Sequence, residues 1–524
     1  MTTDQNYQQI YRVGGMLDSG FVGQITYTIS LDQVYDELDI HFSFDKRLYS
    51  ESDVTPELID RLQTLCTAKY DAPIYPVEEF RQTILHEMKT EIHTMAELND
   101  NFIGCIHRQL TDRHMLYTKE FTSDGCLAQD TFSGVLKVTV LVFNVLLDNT
   151  QYTLTVSGHP VGHGVIAPNF NLMDTVKTAA GNAGASNAAG SADNSCDAES
   201  APASAVATAG SSGVSGAGSA ATAGDSSTTG SSSAGNTVTA STRFKRLELH
   251  NHTVESDGSL TCQELTEYLA ADHVDAFAIT DHNTTSGQKK IEQLLEEKHY
   301  PISLIRGMEY TTYFGHILCL NLAKYVPWNS IDQHRPELLF EAAREKGALV
   351  GIAHPFSYGD PFARGCRFEM TISDYSKVDF IEIFNNPEPL HEVNERGTNL
   401  WMSLIFSGYQ ITATSGMDLH NRAKLAGCYA TYIEGKNGGN IASELDTAIH
   451  THRTWVSKGA LLLTEVLPET NELLLTFTDA HKPGFSVPKT AQVVLKGKDK
   501  TFTTSVSLDK PVRVSLNQLS GTDP

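Results

Sequence analysis

Residues 24–45 alternate apolar and polar side chains, with Ile40, Phe42 and Phe44 on one side and His41, Ser43 and Asp45 on the other. That period belongs to a half-buried strand. After Pro76, apolar residues recur at Val77, Phe80, Ile84, Met88, Ile92 and Met95, a spacing that predicts one amphipathic helix. Residues 136–147 and 151–156 read as two further strands joined near Asp148-Asn149. Residues 1–175 are therefore expected to form a β-rich N-terminal domain with an added helix. Its histidines, His86, His93, His107, His114, His159 and His163, show no ligand spacing and are expected to serve structure rather than metal binding.

From residue 243 the pattern changes to short apolar runs alternating with helical periodicity, the signature of βα units. Seven strands are predicted, at 247–249, 276–280, 302–305, 348–353, 380–384, 410–414 and 428–433. Helices are expected at 286–298, 336–346, 391–406 and 441–450. An earlier helix begins at Thr261, which with Glu264 makes a capping box, and Leu260 with Leu265 makes a hydrophobic staple. The fold class is α/β, with seven strands suiting a βα barrel over residues 243–458. Residues 459–524 hold strand-like segments at 472–477, 491–495 and 512–516 and are expected to form a small C-terminal β element.

Composition separates these regions. Residues 176–242 are almost entirely Ala, Gly, Ser and Thr, too poor in large apolar groups to offset ordering entropy, so a flexible linker is expected. The chain carries 39 Lys+Arg against 63 Asp+Glu, a formal charge of -24, which argues against neutralising the many phosphates of duplex nucleic acid. No basic stretch followed by an apolar run opens residues 1–10, and no apolar stretch approaches the roughly 20 residues of a membrane span. Eight cysteines lie scattered without CxxC pairing, as expected of free thiols in a cytoplasmic protein.

Candidate chemistry gathers at the ends of the predicted barrel strands. His250 and His252 flank Asn251, so period-two alternation sends both imidazoles to one side. Asp257 follows in a Ser256-Asp257-Gly258 turn. The next strands end in Asp281-His282-Asn283, in Met308-Glu309 with His316 beyond it, in His354-Pro355 and in Asp418-Leu419-His420. Repetition at the carboxyl ends of strands is the placing of catalytic groups in βα barrels. Imidazole and carboxylate ligands without thiolate suit Zn, Mn or Fe in an open, catalytic setting.

These motifs, His250-Asn251-His252-Thr253, Ser256-Asp257-Gly258, Thr280-Asp281-His282-Asn283, Gly307-Met308-Glu309, Ala353-His354-Pro355 and Asp418-Leu419-His420, resemble in order those of the PHP (polymerase and histidinol phosphatase) superfamily. The resemblance covers residues 245–458 and implies a distorted seven-stranded βα barrel holding two or three divalent transition metals. It implies that one metal takes His250, His252, Glu309 and Asp418. A second shares Glu309 and takes His316 and His354, and a third takes Asp257, His282 and His420. The Glu309-to-His316 interval and the Trp455-Val456-Ser457-Lys458-Gly459 exit resemble the carbaryl-hydrolase-like branch. Met417, where small polar residues are usual, and the long linker depart from the pattern. His316 has an alternative reading as a satisfied histidine on a plain strand at 313–320.

The chemistry implied is hydrolysis by a metal-activated water, most simply of a phosphoester in a small phosphorylated substrate or short nucleotide. A carboxyl or carbamate ester hydrolase and a non-catalytic metal-binding scaffold are the alternatives. His354 or His420 is a candidate acid for the leaving group, and Asp281 a candidate catalytic or imidazole-orienting carboxylate. Beyond His354, Arg364, Arg367 and Lys377 are candidates for an anionic substrate group, with solvated surface arginines as the plainer reading. Asn385 and Asn386 are candidates to line the pocket. Oligomeric state has no signature in the sequence.

Overall fold

The computed structural model describes residues 7–161 except 46–47, 71–75, 87, 109 and 147–148, the backbone of 172–178, and residues 244–519 except 330 and 386–391. The expected linker lies outside these residues, apart from the end of strand Leu172–Thr178. The described residues on either side of the expected linker form one compact unit.

The predicted strand at 24–45 spans Gly23–Phe44, and Ile40, Phe42 and Phe44 are buried as the alternation requires. This long strand pairs antiparallel with Phe132–Asn144 from Gly23 to Tyr35 and with Thr150–Pro160 from Tyr35 to Phe44. The two segments read as a joined pair are thus separated by it in the sheet order. Beyond Phe132–Asn144 lie Glu91–Leu98 and then Asn101–Ile106.

One expectation is corrected here. The helix starts at Val77 but ends at His86, and Ile92 and Met95 belong to the strand Glu91–Leu98. That strand is covered on both faces: Ile92 and Ala96 pack into the core of the N-terminal sheet, and Met95 packs into a second core with Met308, Tyr310 and Ile317. Burial on both faces removes the period-two signal, leaving an apolar run that mimics helical spacing. A further helix, Pro56–Tyr70, has no counterpart among the predicted elements.

After residue 243 the seven expected strands are all present. Two more, Gly315–Leu320 and Thr454–Ser457, join them in a nine-stranded sheet. The sheet is mixed, since Gly315–Leu320 runs antiparallel to both Ser303–Thr312 and Leu349–Ile352. Its end strands, Thr412–Gly416 and Thr454–Ser457, meet through the Thr454 hydroxyl donating to the Ala413 carbonyl at 2.8 Å. Ser415 N–H likewise donates to Thr431 Oγ1 at 2.9 Å. The ladders thus form a mixed nine-stranded sheet whose two ends approach each other. The helix Cys262–Ala271 begins with the expected capping box, Glu264 N–H to Thr261 Oγ1 at 3.2 Å and Thr261 N–H to Glu264 Oε2 at 2.9 Å. A cap of this kind stabilises a helix by about 1 kcal/mol. The C-terminal β element consists of a three-stranded and a two-stranded sheet.

The N-terminal sheet docks on the face where the candidate ligands lie. Met95, Phe102, Leu141 and Phe143 share a core with Tyr313, Ile317 and Trp328. Tyr313 donates its hydroxyl proton to the Gly23 carbonyl at 2.8 Å, and Gly125 N–H donates to Glu255 at 3.0 Å.

Candidate metal centre

The strand Phe244–Glu248 delivers His250 and His252 just beyond its end, both fully buried. The strand Ser303–Thr312 carries Glu309, and the adjacent Gly315–Leu320 returns His316 beside it. His316 Nδ1 lies 3.0 Å from Glu309 Oε1. Glu309 Oε2 lies 3.1 Å from His250 Nε2, 3.3 Å from His252 Nε2 and 3.0 Å from His282 Nδ1. Its Oε1 is 3.1 Å from His354 Nε2. Asp418 Oδ1 approaches His252 Nε2 at 3.0 Å and His250 Nε2 at 3.3 Å. Asp257 Oδ1 is 3.2 Å from His420 Nε2 and 3.6 Å from His282 Nε2. All nine sequence-derived ligand candidates therefore meet in one cluster.

Within it, His250, His252, Glu309 and Asp418 form one group able to hold a metal, with ligand atoms within 4.8 Å of one another. His252, Asp257, His282 and His420 form another, and His282, Glu309 and His316 a third. Hydrogen bonding does not satisfy this cluster. His250 Nε2, both ring nitrogens of His252, Asp257 Oδ1, Glu309 Oε2, His316 Nε2 and Asp418 Oδ1 are buried without a hydrogen-bond partner among the described residues. Buried polar atoms in such number are rare unless something binds them. The donor set, imidazole nitrogen and carboxylate oxygen, fits divalent transition cations.

Electrostatics point the same way. Burial raises the Asp257, Glu309 and Asp418 carboxyls, yet the facing imidazoles override it and hold all three well below the usual carboxylate range. The imidazoles move in the opposite sense. Against the cost of burial, Asp418 and Asp257 push His420 up to about 10, and Glu309 and Asp418 push His354 up to about 8. Burial wins at His316, which falls to about 4. Without a cation the imidazoles carry the charge that neutralises the buried carboxylates; a metal held there would take over that role and release the protons.

Backbone strain accompanies the cluster. His354, Asp418 and Asn283 hold φ of 23°, 49° and 54°, in a region that L-residues avoid unless the surroundings enforce it.

The remaining candidates divide. Asp281 stands outside the cluster: its carboxylate accepts from Thr253 N–H at 2.7 Å, Thr253 Oγ1 at 2.8 Å and Ser256 Oγ at 2.7 Å, fixing the loop that carries Asp257. Arg364 lines a cavity of about 200 Å³ together with Asp257, His282, His316, His354 and Asp418, while pairing with Asp360 at 3.1 Å. Arg367 is turned away, its guanidinium 5.1 Å from the Tyr70 ring centre and 5.5 Å from that of Phe356. Lys377 pairs with Glu341 at 3.2 Å. Asn385 does not line the cavity; its amide donates to Glu382 Oε2 at 3.0 Å. Asn386 lies outside the described residues.

Several participants escape sequence reasoning. Glu382 holds His250 Nδ1 at 3.0 Å and accepts from His354 N–H at 3.0 Å, orienting two imidazoles at once. Its only local signal is a lone acid in the apolar run Phe380–Asn385. Glu248 accepts from Met417 N–H at 2.8 Å. From the N-terminal sheet His107 reaches the cluster, with Nε2 3.6 Å from Asp257 Oδ2 and its ring stacked on His282 at 4.2 Å. Lys89 and Glu91 line the same cavity.

Residues 7–160 match a family of unknown function, DUF6669. An uncharacterised protein of Methanocaldococcus jannaschii is 30% identical over 112 residues, 21% of this chain and 58% of that protein. A 5'-3' exoribonuclease of Haemophilus influenzae is 36% identical over 141 residues, 25% of this chain and 50% of the enzyme. The matches thus span about half the length of these relatives. Among solved structures, a two-domain protein of Bacteroides vulgatus containing a predicted PHP-like metal-dependent phosphoesterase aligns over 52% of this chain and 85% of its own, with 14% identity and a TM-score of 0.33. A likeness that weak says nothing of this chain's chemistry.

Proposed function

We propose that the chain is a metal-dependent phosphoesterase acting on a small phosphorylated substrate or the end of a short oligonucleotide. The observation that carries this reading is the buried Glu309, which faces His250, His252, His282, His316 and His354 at 3.0 to 3.3 Å. That is more ligation than one four-coordinate cation uses. Cations held there would lower the pKa of a coordinated water and polarise a phosphoryl oxygen, stabilising attacking and leaving oxygens together.

The chain's own residues supply the rest. His250, His252, Glu309 and Asp418 would hold one cation, and Asp257, His282 and His420 another. Glu382 keeps His250 and His354 in register. His420 lines the cavity with Arg364 and faces Asp257 with Nε2, while its Nδ1 is held by the Asp418 carbonyl at 2.9 Å. The guanidinium of Arg364 faces an anionic group remote from the scissile bond. The cavity of about 200 Å³ beside these ligands has room for a phosphate group. The exoribonuclease among the relatives supports the phosphate ester as the class of bond.

The test is turnover of nitrophenyl phosphate, bis-nitrophenyl phosphate and a naphthyl ester by metal-loaded protein, beside His282→Ala, Asp418→Asn and Arg364→Ala. Phosphate-ester hydrolysis is expected, lost by more than about 100-fold on removing either ligand. Arg364→Ala should raise KM selectively for a substrate with a second anionic group. Turnover of the naphthyl ester alone would overturn the phosphoester reading. Near-normal turnover of His282→Ala at full metal content would overturn the ligand assignment.

A further inference from the structure

On the strand Glu91–Leu98, Glu91, His93 and Met95 share one face by period-two alternation, and Met95 packs in the core shared with the nine-stranded sheet. That face therefore looks toward the candidate metal centre. The strand pairs antiparallel with Asn101–Ile106, with Thr94 opposite Ile106. Continuing the register one step sets His93 opposite His107, and their ring centres lie 3.8 Å apart. His93 Nε2 is 3.2 Å from Glu91 Oε1.

Glu91, His93 and His107 are 7%, 0% and 4% exposed, and their ligand atoms lie within 4.8 Å of one another. Two imidazoles and a carboxylate gathered in the seam between two apolar cores are the donor types that divalent transition cations take. His107 Nδ1 is buried without a hydrogen-bond partner among the described residues. The set matches the three-ligand His₂Glu arrangement that leaves one coordination position open. Glu91 and His107 also line the cavity shared with Asp257, His282 and His354, so an open position has access to the same space as those ligands.

We propose that Glu91, His93 and His107 form an additional site for a divalent transition metal, contributed by the N-terminal sheet and opening on the cavity of the candidate centre. The region matching the family of unknown function thereby becomes part of the metal centre. Two paired strands, with His107 one residue beyond the end of the second, position the three ligands before any cation arrives, which favours binding.

The test uses the full chain, stripped with chelator and reloaded with Zn(II), and needs no variant to begin. Anomalous diffraction at the zinc edge should show a peak about 2.0–2.2 Å from one atom of each of the three residues, besides those among the ligands between His250 and His420. Peaks confined to the latter would overturn the proposal and leave the phosphoesterase reading intact. So would a peak bound by His107 with Asp257 and His282 but without Glu91 and His93. In solution, Glu91→Gln, which keeps the side chain's volume, and His93→Ala should each lower bound zinc by one equivalent while the other metals remain. An unchanged zinc count in either folded variant would overturn the site, and if His93→Ala does not fold, Glu91→Gln and the diffraction decide.

Discussion

Glu248 shows how a single buried group records its surroundings. Burial pushes its carboxyl from 4.5 up to about 7, and the N–H of Met417, the Arg246 guanidinium and the N–H of His250 offset only part of that cost. The folded state therefore binds this proton more tightly than the unfolded chain does. Its stabilising effect is complete below about pH 4.5 and is lost as pH rises through 7. Glu248→Gln keeps an acceptor for both amides and removes the titration. In metal-stripped protein the variant should gain on the parent by about 2 kcal/mol between pH 5 and pH 8, since each tenfold difference in proton affinity between the two states is worth roughly 1.4 kcal/mol. Urea unfolding at both values checks this, and parallel stabilities would refute it. Gly416 is the complementary case. A Cβ there would lie 2.5 Å from His250 Cβ and 2.6 Å from Glu382 Oε1. Gly416→Ala should therefore cost about 1–3 kcal/mol through overpacking and reduce bound metal by displacing His250, as thermal unfolding and elemental analysis will show.

At the scale of elements, the readable segments are those buried on one side. The alternation in Gly23–Phe44 and the capping box of Cys262–Ala271 survive in the structure because each is a local pattern with a local cause. Glu91–Leu98 mimics a helix because its two faces enter two cores, and Gly315–Leu320 gives no clear period because all six of its residues are buried. Both of these strands carry residues of the metal centre or its wall. His93 and His107, in and beside runs whose periodicity has been erased, show no ligand spacing in the sequence, whereas His316 is legible through its interval from Glu309.

For the whole molecule, the N-terminal and nine-stranded sheets share an apolar core and the wall of one cavity. Residues 244–524 alone would expose Tyr313, Ile317 and Trp328 to water, so this fragment should aggregate or lose metal, measurable by light scattering and elemental analysis. The Ala/Gly/Ser/Thr tract has no such contribution in its composition. Replacing residues 181–232 by a short Gly/Ser segment should leave turnover within about two-fold; a large loss in a folded deletion protein would show that the tract matters to the site. Among the described residues no helix is long and apolar enough to cross a membrane.

The ordered motifs from His250 to His420 are legible because most of their ligands sit at or just beyond a strand end, where a polar residue interrupts an apolar run. Local sequence alone thus determined which residues between His250 and His420 are candidates. Only the tertiary structure decided that Glu382, hidden in a strand and 132 residues from His250, orients that imidazole, that Arg367 turns toward Tyr70, and that His107 arrives from another sheet. The physical reason is that periodicity reports how one segment meets water. Contacts between segments far apart in the chain depend on which buried faces pack together, and that choice leaves no mark on the spacing within either one.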